Sequence, residues 1–326
     1  MEFRKLSSLG APGKFQDPTW TADGKRRAEI SLDRLDMLWI NTGTLCNIAC
    51  VNCYIASSPT NDQLVYISTA EVTELLDEIP ALALPTREIG FTGGEPFLNP
   101  DMLVILRETL MRGFNVLVLT NAMQPMQRPR IKDGLLELQK EFHEQLTLRV
   151  SLDHYAQALH ERERGPGTWA SAVDGLNWLS VNGFKIAIAG RTCWGEQELL
   201  SRKGYAELIE QHGWALDSRD TTQLMLLPEM DGSHDVSEIS TACWDILAKS
   251  PSDQMCASSR MVVKRKGAEK PTIVPCTLLP YASEFDMGVT LAEAFAADGG
   301  MFSNGAVKLC HPHCAKFCVL GGGSCS

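Results

Sequence analysis

No apolar run in this sequence approaches the roughly 20 residues that a membrane-spanning helix needs. The start, Met1-Glu2-Phe3-Arg4-Lys5-Leu6-Ser7, lacks the apolar segment of a secretory signal. No membrane partner and a cytoplasmic location are therefore expected. Positive charge is also scarce: 30 Lys and Arg stand against 40 Asp and Glu, a net charge of −10. That balance argues against a general nucleic-acid or anionic-membrane binder. The two basic runs, Lys25-Arg26-Arg27 and Lys264-Arg265-Lys266, read as solvated faces or turns. No repeat with a period of roughly 20–50 residues is present, which excludes a solenoid. What the chain does have is cysteine, eleven in 326 residues. In a reducing compartment, clustered cysteines point to metal or catalysis rather than to disulfides.

The cysteines are grouped. Cys46, Cys50 and Cys53 form one set, and Cys256, Cys276, Cys310, Cys314, Cys318 and Cys325 crowd the end of the chain. Cys193 and Cys243 stand alone and read as small buried hydrophobes, with a redox or hydrogen-donor role open to Cys193. The long stretch between the sets alternates strand and helix signals. Short apolar runs at 37–41, 88–92, 115–120, 146–152, 185–189 and 222–227 have the character of buried parallel strands. Helical patterns fall between them, at 68 onward, 99–112, 131–142, 168–181 and 197–212, with a last one at 236–249. Ser68-Thr69-Ala70-Glu71 has the form of a helix start. Six strand–helix units in series predict an α/β fold, a partial (βα)6 TIM-like barrel, because six units are too few to close an eight-unit barrel. Residues 1–35 read as a turn-rich N-terminal extension, 36–250 as the barrel, and 251–326 as a small cysteine-rich region stapled by metal, since it lacks the apolar content for its own core.

Cys46-x3-Cys50-x2-Cys53 follows the first strand of the barrel, at the carboxyl end where parallel α/β folds place their sites. Three thiolates in one loop can each bind one iron of a cubane cluster, leaving the fourth iron open to another ligand. Structural zinc would want a fourth ligand nearby, and the loop contains no other Cys and no His. The run Cys46-Asn47-Ile48-Ala49-Cys50-Val51-Asn52-Cys53 resembles the cluster loop of the radical S-adenosylmethionine (radical SAM) superfamily. Many members carry an aromatic residue just before the third cysteine. Here Asn52 stands there and Tyr54 follows, so Tyr54 is the candidate for the adenine contact.

The resemblance implies further site residues. Gly93-Gly94-Glu95-Pro96 follows the second strand and is similar to the motif that holds the amino group of SAM; its glycines allow close backbone approach. Ser151-Leu152-Asp153 resembles a run used near the ribose or carboxylate of SAM, although Asp153 could instead cap the next helix. Arg191, ending the fifth strand, could pair with the SAM carboxylate or with a structural acid. Glu229, after the sixth strand, is a substrate or acid–base candidate, with a surface salt bridge as the alternative. The chemistry implied is one-electron reduction of SAM by a [4Fe-4S] cluster, giving methionine and a 5′-deoxyadenosyl radical that abstracts hydrogen. A low-potential donor, flavodoxin or ferredoxin, is implied as a partner.

The last six cysteines resemble the SPASM or twitch extensions of radical SAM enzymes, which carry auxiliary iron–sulfur clusters. Cys256 and Cys276 bracket a turn at Lys264–Lys270, as in the hairpin of those extensions. Two fully cysteine-ligated cubanes need eight thiolates, so one complete auxiliary [4Fe-4S] cluster is the economical reading. A zinc site, with His311 and His313 as ligands, is the alternative. Local patterns, Tyr54-Ile55-Ala56-Ser57-Ser58-Pro59, Ser151-Leu152-Asp153-His154-Tyr155 followed by Arg164-Gly165-Pro166-Gly167, and the ending Cys314…Cys318…Gly322-Gly323-Ser324-Cys325, also resemble arsenosugar-biosynthesis radical SAM proteins, which implies adenosyl transfer as a second chemistry. The short extension before the first strand favours a small-molecule substrate over a peptide. A peptide maturase forming thioether or C–C bonds is the competing enzymatic reading. A non-catalytic iron–sulfur or zinc protein is the competing class, and Gly93-Gly94-Glu95-Pro96 argues against it.

Overall fold

The computed structural model describes residues 13–228 and 235–322; Glu229 and Cys325 lie outside the described residues. The strands are β1 (Glu29–Ile30), β2 (Met37–Asn41), β3 (Glu88–Thr92), β4 (Asn115–Thr120), β5 (Leu146–Ser151), β6 (Lys185–Arg191), β7 (Leu224–Leu227), β8 (Ser259–Val263), β9 (Thr272–Val274), β10 (Phe302–Ser303) and β11 (Ala306–Lys308). The helices are α1 (Thr69–Ala81), α2 (Met102–Met111), α3 (Gln124–Gln127), α4 (Pro129–Phe142), α5 (Gln157–Arg164), α6 (Thr168–Val181), α7 (Glu198–His212), α8 (Cys243–Leu247) and α9 (Leu291–Phe295).

β2 to β7 are the six expected strands. Each lies parallel beside the next, in the order β7-β6-β5-β4-β3-β2. With the helices of their crossovers they form the partial α/β barrel. β2 is buried at every position, as a strand covered on both faces must be. Gly90 in β3 makes room for Trp39 in β2: a Cβ there would come within 2.4 Å of the indole ring. Ser68 and Glu71 close a reciprocal capping box at the start of α1, satisfying two backbone donors that the helix cannot.

Three features differ from the sequence reading. First, a seventh parallel strand joins the sheet. β8, from the cysteine-rich region, pairs parallel with β2 on its free side, and β9 folds back antiparallel on β8. The hairpin between Cys256 and Cys276 is thus continuous with the barrel sheet. Second, the β5–β6 crossover holds two helices, α5 and α6, separated by Gly165-Pro166-Gly167. Third, the helix expected at 236–249 shrinks to α8. Its first half runs as an extended strap, bridged to the N-terminal segment between Arg27 and Ser240. The backbone of 239–241 bonds to 26–28 instead of to itself: the Ala28 amide donates to the Ile239 carbonyl and the Thr241 amide to the Arg26 carbonyl. β1 pairs with β11, so the N-terminal segment is bound to the cysteine-rich region.

Candidate active site

The carboxyl ends of the barrel strands surround one cavity with an empty volume of about 1180 Å³, its open mouth included. Cys46, Cys50 and Cys53 all line it. Their loop leaves β2 and returns through a bridge between Leu45 and Ser58. The Cys46 amide donates to the Ser58 carbonyl at 3.1 Å, and the Ser57 amide points at the Cys53 sulfur at 3.3 Å. Burial pushes the Cys46 thiol up to about 12 and raises Cys50 as well. Neither thiol would ionise unaided at neutral pH, but an iron ion deprotonates a coordinating thiol outright. The donor set therefore fits a cluster that supplies its own positive charge.

Gly93 and Gly94 line the cavity beside this loop. The space is exact to an atom: a Cβ on Gly94 would meet the Leu45 carbonyl oxygen at 2.1 Å. Gly93 has φ +151°, and a Cβ there would meet the Gly43 oxygen at 2.5 Å. Glu95 does not line the cavity. Its buried carboxylate accepts from the Thr120 hydroxyl at 2.8 Å and the Asn121 amide at 2.9 Å. Burial raises its pKa to about 7, against those hydrogen bonds, which favour the charged form. Glu95 thus ties the Gly93-Gly94 bend to the end of β4. Pro96 lies behind the wall, at the first position of a short helical turn. Asn121 continues the brace, donating to the Asn47 side chain at 2.8 Å.

On the opposite wall stand Ser151, Asp153, Arg164 and Arg191. Asp153 and Arg164 form a two-pronged ion pair, both contacts 2.8 Å. Asp153 therefore does not cap α5, whose first turn has no side-chain cap. Burial disfavours the Arg164 cation, but the Asp153 carboxylate outweighs it and holds the guanidinium protonated. Arg191 donates to the Asn52 carbonyl at 2.8 Å, lies 3.4 Å from Glu163, and sits over the Tyr54 ring at 4.9 Å. The Asn52 side-chain amide also donates to Glu163, at 2.8 Å. This explains Asn52 before the third cysteine: it is a hydrogen-bonding post, while Tyr54 takes the aromatic position on the cavity wall. Cys193 lies beyond Arg191 and does not line the cavity. Sequence reasoning passed over Glu163 and noted Arg164 only within the pattern Arg164-Gly165-Pro166-Gly167, with no site role; both are carried by the unforeseen α5. The alternating charges Glu161-Arg162-Glu163-Arg164 before Gly165 were the available signal.

A second void, about 400 Å³, lies in the cysteine-rich region. Cys256, Cys276, Cys314 and Cys318 line it, with His313. Cys314 and Cys318 are four apart in a wide π-helical turn at Cys314–Leu320, which turns both toward the void. Cys310 is not on its wall; its sulfur lies 3.5 Å from the Asp17 carbonyl. Burial lowers the pKa of His311 to about 3 and of His313 to about 4, so both rings are neutral. Leu278 lines both the void and the first cavity, so one side chain forms part of both walls.

Comparison with known proteins agrees with this geometry. Residues 40–194 match the radical SAM superfamily. Over 145 residues the chain is 30% identical to the antilisterial bacteriocin subtilosin biosynthesis protein AlbA of Bacillus subtilis, covering 44% of this chain and 30% of that protein. Over 144 residues it is 26% identical to the AdoMet-dependent heme synthase of Oleidesulfovibrio alaskensis, covering 44% and 34%. The matched segment thus spans about a third of each relative. The crystal structure of Streptococcus suis SuiB bound to S-adenosylmethionine superposes with a TM-score of 0.59 at 12% identity, covering 82% of this chain and 66% of that one. That last likeness is one of fold.

Proposed function

Residues 40–194 are a radical SAM domain, and on that premise we propose that the chain binds a [4Fe-4S] cluster through Cys46, Cys50 and Cys53 and uses SAM to modify a substrate in the adjoining cavity. The observation that carries this reading is convergence. The three-cysteine loop, the Gly93-Gly94 bend, the Asp153–Arg164 pair and Arg191 all face one space. Cys46, Cys50 and Cys53 would hold a cluster able to supply the one electron that reductive cleavage of SAM to methionine requires, the chemistry that would make hydrogen abstraction from a substrate carbon possible. The chain's own residues hold and shield. Gly93 and Gly94 bring backbone close to the amino-acid end of SAM. Ser151, Asp153 and Arg191, on the same cavity, would serve its ribose and carboxylate. Leu119, Met225, Leu227 and Met261 give the remaining wall an apolar lining that keeps water from a reactive carbon. Cys193, off the cavity wall, is given no step. Radical SAM enzymes need an external reductant, and a small low-potential donor such as flavodoxin or ferredoxin fits the role.

We assign the second void to one auxiliary [4Fe-4S] cluster held by Cys256, Cys276, Cys314 and Cys318. The four thiols spread around the void. Among the described residues no three metal-binding side chains lie close enough together to hold a single ion. Four thiols on one void match the four thiolates a cubane takes, one per iron. Such a cluster would supply a one-electron acceptor on the far side of Leu278 from the substrate space.

Likeness to an AdoMet-dependent heme synthase supports a small molecule as substrate. A second reading is a peptide that presents one side chain, supported by likeness to a bacteriocin biosynthesis protein. Anaerobic reconstitution followed by dithionite and SAM should release 5′-deoxyadenosine, and Cys46→Ala should abolish it. To separate the substrates, the enzyme is given extract from deuterium-grown cells, divided by dialysis. Deuterium entering 5′-deoxyadenosine from the dialysable fraction supports a small molecule; deuterium only from the retained, protease-sensitive fraction selects the peptide.

A further inference from the structure

Arg260, on β8, is a full guanidinium with no exposure to solvent. Met261, its neighbour, lines the first cavity. Strand alternation turns Arg260 to the other face, toward the cysteine-rich region. Its Nη1 donates to the carbonyls of Cys256 and, at 2.8 Å, Ser259; its Nη2 donates to the Gly305 carbonyl at 3.1 Å. Nε has no partner. These acceptors are neutral, and among the described residues Arg260 forms no ion pair with a carboxylate. The Cys256 and Cys276 side chains lie close enough to act on its charge. A buried charge without an opposite charge is among the costliest features a fold can carry. An anion must arrive for the site to balance.

We infer that Arg260 is the built-in counter-ion of the cluster bound by Cys256, Cys276, Cys314 and Cys318, and that its charge raises the reduction potential of that cluster. The inference rests on the auxiliary-cluster reading above. Four thiolates around a [4Fe-4S] core make a net anion, and each electron added makes it more negative. A fixed cation nearby favours the reduced state more than the oxidised one. Arg260 is a positioning and tuning residue; it need touch neither substrate nor SAM.

The test uses full-length chain carrying Cys46→Ala, Cys50→Ala and Cys53→Ala, so that only the auxiliary site can load. About four irons per chain are expected, lost in Cys256→Ala; no iron in this background overturns the auxiliary cluster itself. With iron bound, Arg260→Gln should move the midpoint, read by EPR-monitored redox titration, to more negative potential. A tenfold change in the reduced-to-oxidised ratio, 59 mV for one electron, is the smallest shift that counts as support. The iron-free Arg260→Gln chain should melt no lower than its parent, because glutamine still donates to the carbonyls while a buried cation has gone. A purely structural Arg260 gives the opposite pattern: an unchanged midpoint, or an iron-free variant that melts lower or fails to fold. Either result overturns the inference. If Arg260→Gln folds but takes up no iron, Arg260→Lys decides. Recovery of iron with the restored charge supports the inference, and no recovery overturns it.

Discussion

Gly94 shows how closely a single residue bounds the site. Its missing side chain is the clearance between the motif after β3 and the cysteine loop, since a Cβ would lie 2.1 Å from the Leu45 oxygen, which is backbone and cannot swing away. Gly94→Ala must therefore displace the loop that carries Cys46. Overpacking of this kind costs about 1–3 kcal/mol, so 5′-deoxyadenosine formation should fall on the order of tenfold or more while circular dichroism stays native. His160 carries a pH signature of a different kind. It is fully buried and neutral, its Nδ1 accepting the Asp153 amide at 3.2 Å. Burial lowers its pKa from the usual 6.5 to about 4; Arg164 and His154 push the same way, and Asp153 and Glu161 oppose them. The unfolded chain then binds a proton below the usual value that the folded chain refuses until about pH 4. Stability from this group is complete above the ordinary histidine value and is lost as pH falls toward 4, by about 3 kcal/mol over the whole window. Urea titrations of the iron-free protein across that window should show the decline. In His160→Gln the decline should be shallower by that amount.

At the scale of elements, the strap at 236–241 shows where sequence reasoning gives out. Val236 and Ile239 are three apart and both buried, which reads as a helix face. Glu238 between them decides otherwise. Its carboxylate accepts from the Phe15 and Ala22 amides and pairs with Arg27, a buried guanidinium. Those partners lie more than two hundred residues away, beyond any local pattern. Removing one side of a buried pair costs about 3–5 kcal/mol, so Glu238→Ala should destabilise the iron-free chain by that order in urea. Limited proteolysis should then cut first between residues 13 and 28, where the N-terminal segment loses its anchor. The same limit divides the legible from the illegible elsewhere. β2 to β7 stand where their apolar runs fall, because a parallel strand buried on both faces needs no partner to be recognised. β8 was expected only as an arm of the hairpin, not as a strand of the barrel sheet, because Ser259-Arg260-Met261 interrupts such a run with a buried cation. In the site, the cysteine spacing and Gly93-Gly94 were legible as local motifs. The Arg164–Asp153 and Glu163–Asn52 bonds were not, since each joins a helix to another segment of the chain.

On the scale of the whole molecule, the cysteine-rich region is not an appendage beside the barrel. It contributes β8 and β9 to the barrel sheet, receives β1 from the N-terminal segment, and shares Leu278 between the two voids. That integration predicts which cysteines matter to metal content. The sequence offered six C-terminal thiols without ranking them. In the fold four of the five described ones face a common void, and Cys310 instead turns toward the Asp17 carbonyl. The fully reconstituted chain should therefore hold about eight irons, two complete cubanes. Cys276→Ala should bring this down toward four by leaving its cluster a thiolate short, while Cys310→Ala should leave it near eight. Iron analysis with Mössbauer spectroscopy distinguishes these outcomes. Loss of iron in Cys310→Ala equal to that in Cys276→Ala would mean that Cys310 turns inward on loading and displaces one of the four. A total near twelve would require a third cluster, beyond the thiols that these two voids bring together.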